Sequence, residues 1–360
     1  MISPRFPALL SSLFIAGSLI SQPLSAKEAE LPPLPEPVAN NAIAKVETKR
    51  GTYFISLMGL GKGKTYKDVH ARGWRLALND HPLRWQPTKP VPASLELSGR
   101  LASIAVSLPG ELLLFGGYTV AADHSEISSP DVYSYKPDSD TYVQLPDMPT
   151  PVDDAVALTY QDKYIYLISG WHNHGNVNLV QLFNRETKQW SLATPFPGAP
   201  VFGHAGGIVD NQLVICDGVK VAAVVDGKRQ FAAERACYQG TISTEDPAEI
   251  HWQALAHFDG EARYRMAAVG APELGGILFV GGSTNPYNYE GIGYDGVPAP
   301  ASAQVDLYEF ATGQWKQLSP RTVPSMDHRG LLFWQGQYWT LGGMNGQQQV
   351  IDTVIPYLPR

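Results

Sequence analysis

Six times along this chain an apolar strand runs into glycine: YFISLMGLG, ELLLFGG, YIYLISG, LVICDG, ILFVGG and YWTLGG. Such a recurrence constrains the fold more than any single motif, because a repeated unit must bury its apolar face against its own copies. Each unit opens with a strand of small, alternating residues and continues into the glycine strand. A loop of variable length follows, then a strand such as VYSYKP or VDLYEF. A short last strand carries Trp85, Tyr142, Trp190, Trp252 or Trp315 ahead of a Pro-rich link. There are six glycine strands but five such outer segments, since the last unit ends at VIPYLPR after three strands. The N-terminal ELPPLPEPV resembles the end of an outer segment, so it is expected to complete the last unit and close the ring, leaving no sheet edge exposed. The aromatic series reads as packing between units.

With 44% hydrophobic and 17% charged residues, the 360-residue chain can bury a large core and is too apolar to be disordered. A formal net charge of −7, with no run of Lys and Arg, gives no pull toward nucleic acid or anionic lipid. The opening MISPRFPALLSSLFIAGSLISQPLSA sets Arg5 before an apolar run from Ala8 to Ile20 and ends on Ala26. It predicts a signal peptide over residues 1–26, followed by one domain over 27–360. The apolar run is short of the roughly 20 residues that span a bilayer. The mature chain is therefore expected to have no membrane span and to be periplasmic or secreted. Cys216 and Cys237 are the two cysteines. In an oxidising compartment they form a disulfide, or else they are two separate buried thiols. They cannot make a Cys-rich zinc site, which takes four ligands.

GELLLFGGYTV followed by DVYSYKPDSDTYVQLPDMP, and GGILFVGGSTN followed by VDLYEFATGQWKQLSP, resemble kelch repeats. The resemblance covers nearly all of the chain after the leader. It implies an all-β, six-bladed kelch-type β-propeller whose last blade is closed by an N-terminal strand. With its LPPLP segment, YFISLMGLGKGKTY first blade and secretory signal, the chain also resembles the sialic acid mutarotase (N-acetylneuraminate epimerase) family. That implies an exported mutarotase or epimerase acting on a sialic-acid-like or other acidic sugar, with no cofactor. In that family a glutamate taken as the proton acceptor follows a glycine strand, in a pattern like Asn-Gly-Glu and shortly Arg. Here the matching residues are Asp217, Gly218 and Val219, then Lys220. Val219 cannot move a proton. Either Glu234, Glu290 or His204 does so, or the propeller is non-catalytic and binds a glycan, peptide or protein partner.

In a four-stranded antiparallel unit, the links between units and the loops after the glycine strands share one face. Ligand contacts should gather there, over the centre of the ring. Arg100 and Arg265 each lie twelve residues before LLLFGG or ILFVGG. An arginine so placed ties neighbouring units together or offers a planar fork to a carboxylate. Asp153, Asp154, Arg263, Asp327 and His328 also fall just before or early in first strands. The fifth unit's STNPYNYEGIGYDGVPAPAS holds Tyr287, Asn288 and Glu290 among Gly and Pro. Loops this long are uncommon without a function, and aromatic faces beside amide and carboxyl groups suit a sugar. The third unit's GWHNHGNVN sets His172 and His174 on one loop. Further ligands are not visible nearby, so no metal is expected, and a histidine titrating near neutral pH is the better use.

Mutarotation needs one group to take a hydroxyl proton and another to protonate the ring oxygen, while an arginine holds the sugar carboxylate. The expected assignments are Glu290 or His204 as base or acid and Arg265 as anchor. Arg100, His172, His174, Tyr287, Asn288 and Arg329 are expected to contact the ligand. A copper radical oxidase, which also carries kelch-type blades, would need a Tyr joined to a Cys. Pairing Cys216 with Cys237 is the simpler use of both.

Overall fold

Each glycine strand folds as the second strand of an antiparallel sheet, and six such sheets are arranged as propeller blades. The computed structural model describes residues 1–2 and 30–359, so the expected leader lies almost wholly outside the described residues. Leu31–Arg360 forms one structural unit. No helix among the described residues is long and apolar enough to cross a membrane.

Blade 1 comprises β1 (Ala42–Thr48), β2 (Gly51–Leu60), β3 (Val69–Ala77) and β4 (Trp85–Pro87). Blade 2 has β5 (Ile104–Leu108) and β6 (Glu111–Phe115), an inserted hairpin of β7 (Tyr118–Val120) and β8 (Glu126–Ser128), then β9 (Val132–Lys136) and β10 (Thr141–Gln144). Blade 3 has β11 (Val156–Tyr160), β12 (Tyr164–Ile168), a small hairpin of β13 (Trp171–His172) and β14 (Gly175–Asn176), β15 (Val180–Asn184) and β16 (Gln189–Leu192). Blade 4 has β17 (Ala205–Val209), β18 (Gln212–Cys216), the longest inserted hairpin, β19 (Val219–Val225) and β20 (Lys228–Ala233), then β21 (Cys237–Ile242) and β22 (Ile250–Leu255). Blade 5 is β23 (Ala267–Ala271), β24 (Gly276–Val280), β25 (Val305–Glu309) and β26 (Gln314–Gln317). Blade 6 is β27 (Leu332–Trp334), β28 (Gln337–Leu341) and β29 (Val354–Tyr357).

The four tryptophans of the aromatic series staple their blades to the segment before them. The indole of Trp190 donates to Pro146 O at 3.0 Å, that of Trp315 to Ala256 O at 2.6 Å, and that of Trp252 to Thr194 O at 3.4 Å. Trp85 makes the same bond to Pro32 O at 3.0 Å, which places the N-terminal segment where a preceding blade's link belongs. Leu34 N donates to Asp352 O at 2.8 Å, as Met148 N donates to Pro130 O at 2.9 Å in blade 2. Met148 lies beyond β10. ELPPLPEPV therefore occupies the link that follows an outer strand, not the strand itself, and blade 6 has three strands among the described residues. The segment still joins the ends of the ring. Val38 N donates to Ile351 O on the blade 6 side, while Glu36 accepts two 2.8 Å bonds from Arg72 in blade 1.

At the end where the inner strands begin, one residue per blade takes left-handed backbone: Asn40, Ala102, Asp154, Gly203, Arg265 and Asp327, with φ between 52° and 68°. Their peptide groups link round the axis. Ala102 N donates to Asn40 O, Asp154 N to Ala102 O, Gly203 N to Asp154 O, and Arg265 N to Gly203 O. His328 N then donates to Arg265 O, and Asn40 N to Asp327 O, completing a hoop with bonds of 2.8–3.3 Å. Such backbone costs a non-glycine residue on the order of 1 kcal/mol or more, so it persists only where the surroundings fix it. The hoop supplies that constraint.

Candidate functional site

The hoop's side chains form a charged floor. Arg265 Nη2 lies 2.5 Å from Asp154 Oδ2, and Nη1 lies 2.9 Å from Asp327 Oδ1. Arg329 pairs with the other oxygen of Asp154, and its Nε donates to Asn40 Oδ1 at 2.7 Å. The rings of Tyr264 and Tyr287 stand 4.7 and 5.4 Å from the Arg265 guanidinium, with both hydroxyls turned to the aspartates at 3.4 Å. Burial pushes the Asp154 carboxyl up, but Arg265 and Arg329 outweigh it and hold it below the usual carboxylate range. Two arginines and two aspartates balance, so the floor carries little net charge.

Above the floor lies a cavity of about 220 Å³. Its walls come from the insertions. The β7–β8 hairpin supplies Tyr118 and Glu126, the link into blade 3 supplies Asp153, and β13 supplies Trp171. The β19–β20 hairpin brings Arg229 and Phe231, and the long fifth-blade loop brings Asn288, Tyr289 and Tyr294. Cross-blade contacts hold these segments together. His124 Nδ1 lies 3.1 Å from Tyr289 Oη, Lys64 Nζ donates to Glu290 O at 2.8 Å, and the Phe231 and Tyr294 rings stand 4.4 Å apart. The Arg229 guanidinium lies 5.1 Å from the centre of the Trp171 ring. Cys216 and Cys237 are directly paired neighbours on β18 and β21 and form a disulfide at the root of the β19–β20 hairpin.

Two carboxyls face this cavity in unusual states. Glu126 is exposed at the mouth of the cavity, and the walls beside it push its carboxyl up to about 7 by desolvation. Asp153 is 3% exposed, and burial drives its carboxyl well above the usual range, with the negative charges of Asp154 and Glu126 adding to the effect. Ser128 Oγ, 2.6 Å from Asp153 Oδ2, works in the opposite direction.

The residues expected from sequence scatter. Arg265 and Asn288 line the cavity. Tyr287 is fully buried beneath it against Arg265. Glu290 sits one residue beyond Tyr289, with its peptide groups held by Asn288 and Lys64, and is not part of the lining. His204 and Arg329 border a second cavity of about 260 Å³, below the floor and between the inner strands. There His204 Nε2 donates to Ile168 O at 2.9 Å, and burial lowers its pKa to about 4. His172 donates from Nδ1 to Pro151 O at 2.6 Å, and His174 is exposed on the β13–β14 turn, so the two do not point together along an extended segment.

Arg100 is buried in an ion pair with Asp131. Its counterpart in blade 5 is Arg263, buried against Asp306, and not Arg265. Counting back from the glycine strands misaligns the two blades because the β23–β24 turn has four residues, Pro272–Gly275, where the β5–β6 turn has two. Asp217, Cys237 and His257 are the one cluster with metal-ligand proximity among the described residues. Cys237 is spent in the disulfide, and Asp217 and His257 bond each other at 2.6 Å, so the set does not fit an ion. Sequence reasoning missed Glu126 and Arg229 as cavity residues, and the unmatched length of the insertions carrying them was the available signal.

No family model matches the chain. A solved structure, that of YjhT, superposes with a TM-score of 0.71 at 15% identity, covering 91% of this chain and 97% of that one. The fold is thus a six-bladed β-propeller. Among curated proteins, human Kelch-like protein 15 is 21% identical over 257 residues, 69% of this chain and 39% of the relative. Kelch-like protein terF of Aspergillus terreus is 24% identical over 288 residues, 76% of this chain and 56% of the relative. The chain matches about two-fifths to just over half the length of these relatives. The chain is thus similar to kelch-repeat proteins over most of its length.

Proposed function

We propose that the upper cavity binds an acidic sugar, of the sialic-acid type, and interconverts its anomers. One observation carries this reading: a single aromatic-walled cavity holds the Arg229 guanidinium, without a carboxylate partner among the described residues, together with the Glu126 and Asp153 carboxyls. Trp171, Phe231, Tyr289 and Tyr294 offer faces to the C–H side of a sugar ring, and Asn288 offers an amide to its hydroxyls. Arg265 is already engaged by two aspartates, whereas among the described residues no carboxylate pairs with Arg229. Arg229 therefore holds the sugar carboxylate. Glu126, its carboxyl pushed up by the enclosing walls, takes the proton of the anomeric hydroxyl as the ring C–O bond opens. The disulfide supports a setting outside the reducing cytosol.

NMR exchange measurements on N-acetylneuraminate and related acidic sugars test the reading. Wild-type protein is expected to accelerate anomer interconversion, and Glu126→Gln to slow it by roughly 100-fold or more. Rates equal to buffer alone for every acidic sugar would sink it. The second reading, a binding propeller without catalysis, is favoured by Val219. This buried residue, with its N–H on Phe202 O at 2.9 Å, stands where the resembled family has its glutamate. Thermal stabilisation by a sugar without turnover would select that reading.

A further inference from the structure

The residue just ahead of each hoop position pairs with the end of the glycine strand of its own blade or the segment just beyond it. The six are Ala39 with Leu60, Leu101 with Tyr118, Asp153 with Trp171, Phe202 with Val219, Tyr264 with Ser283, and Met326 with Met344. All six are buried, and five have apolar or aromatic side chains that pack in one cluster. The exception is Asp153. Folding gives no reason for an acid here, since burying a carboxyl is costly and its five counterparts are satisfied by packing alone. A departure of this kind, at a site that lines the cavity, points to chemistry.

Its neighbourhood is specific. Ser128 Oγ is 2.6 Å from Asp153 Oδ2, and Ser128 lies two residues from Glu126 on β8. Residues two apart on a strand project from the same face, so the strand that touches Asp153 presents Glu126 beside it. We propose that Asp153 is the partner acid of Glu126, the two carboxyls exchanging protons with opposite ends of the sugar's hemiketal. This rests on the mutarotase reading and adds its second catalytic group.

The step balances within the pair. Ionised Glu126 takes the anomeric hydroxyl proton, the C–O bond to the ring oxygen breaks with its electrons passing to that oxygen, and protonated Asp153 supplies the proton it then requires. The open-chain ketone rotates. Closure on its other face returns the hydroxyl proton to Asp153 and draws the Glu126 proton onto the carbonyl oxygen, restoring both groups with no co-reactant. Asp154 and Arg265 face the pair from the floor, while Tyr118, Tyr289, Tyr294 and Arg229 face it from the walls. His124 stands behind Tyr289, and His172 is turned away onto Pro151 O. The Arg265 charge favours ionisation and the Asp154 charge opposes it at both carboxyls, so their difference in state comes from burial: Asp153 is deep, Glu126 at the mouth.

Two measurements test the pair. In the full chain carrying ¹³C-carboxyl aspartate and glutamate, Asp153 is expected to titrate well above ordinary aspartates and to move down in Glu126→Gln. Asp153→Asn should lower kcat by about 100-fold with KM little changed and remove the alkaline limb of a bell-shaped pH profile. Ser128→Ala, which leaves both carboxyls in place, should shift that limb upward. An Asp153 that titrates as an ordinary aspartate and ignores Glu126→Gln overturns the proposal, as does a folded Asp153→Asn with wild-type kcat and pH profile. A wild-type protein without anomer exchange overturns the mutarotase reading instead, and the titration alone then decides whether the carboxyls are coupled.

Discussion

The two cavities on either side of the hoop have similar volumes, about 220 Å³ above and 260 Å³ below, yet they differ in composition. The lower one is walled largely by small apolar residues such as Ala105, Ala157, Gly207 and Ala268, each the product of the repeat. The upper one is walled by hairpins and loops of unequal length, and its carboxyls, guanidiniums and aromatic rings come from segments with no regular counterpart in the other blades. The repeat builds the channel, and departures from the repeat build the site.

The division predicts separable effects, the largest in the scaffold. Arg263→Ala strands Asp306 in the core and should destabilise the fold by about 3–5 kcal/mol, read from the denaturation midpoint. Ligand affinity in the surviving folded protein should stay the same. Loss of affinity without loss of stability would break the division. A smaller effect comes from His204 in the lower channel, which burial keeps neutral with its pKa near 4. The unfolded chain binds this proton below about 6.5 and the native protein does not, so the contribution is fully present above 6.5 and is lost as pH falls through 4. It amounts to something on the order of 3 kcal/mol. His204→Gln should flatten that part of the stability profile, and an unchanged slope would show that another group titrates there. The smallest stability effect belongs to the upper cavity. Arg229→Ala should change folding stability by less than about 0.5 kcal/mol while weakening a carboxylate-bearing sugar at least about tenfold and leaving a neutral sugar unaffected. Equal losses for both sugars would assign Arg229 to packing on Trp171.

The same division explains what could be read from the sequence. All six glycine strands fold as second strands, and Trp85, Tyr142, Trp190, Trp252 and Trp315 each lie on a fourth strand, because period-two patterning and blade packing repeat with the chain. The N-terminal segment was legible as ring closure but not in register, since a Pro-rich link carries no alternating pattern to fix it. Arg265 was matched to the wrong arginine by a two-residue difference in turn length. The floor joins residues more than a hundred positions apart, as Arg265 and Asp154 are, and no local pattern announces such a pair. Glu126 lies in a hairpin whose DHSEISS sequence resembles any polar loop, and only the fold sets it opposite Asp153.

The hoop has a consequence for how such a propeller can change. Its bonds run through peptide groups, with Asn40 Oδ1 alone among these side chains also accepting from Ala102 N at 3.1 Å, so the other side chains behave as sockets whose contents are independent of the hub that holds them. Five are filled by amide, methyl, carboxylate or guanidinium without altering the circuit. The sixth, Gly203, is closed, because a methyl group there would meet the Tyr264 ring at 1.9 Å. Rewriting the floor of the binding face, from charge-balanced to acidic or basic, therefore turns on edits at Asn40, Ala102, Asp154, Arg265 or Asp327, or at Arg329 beside them, and on none in the blade strands.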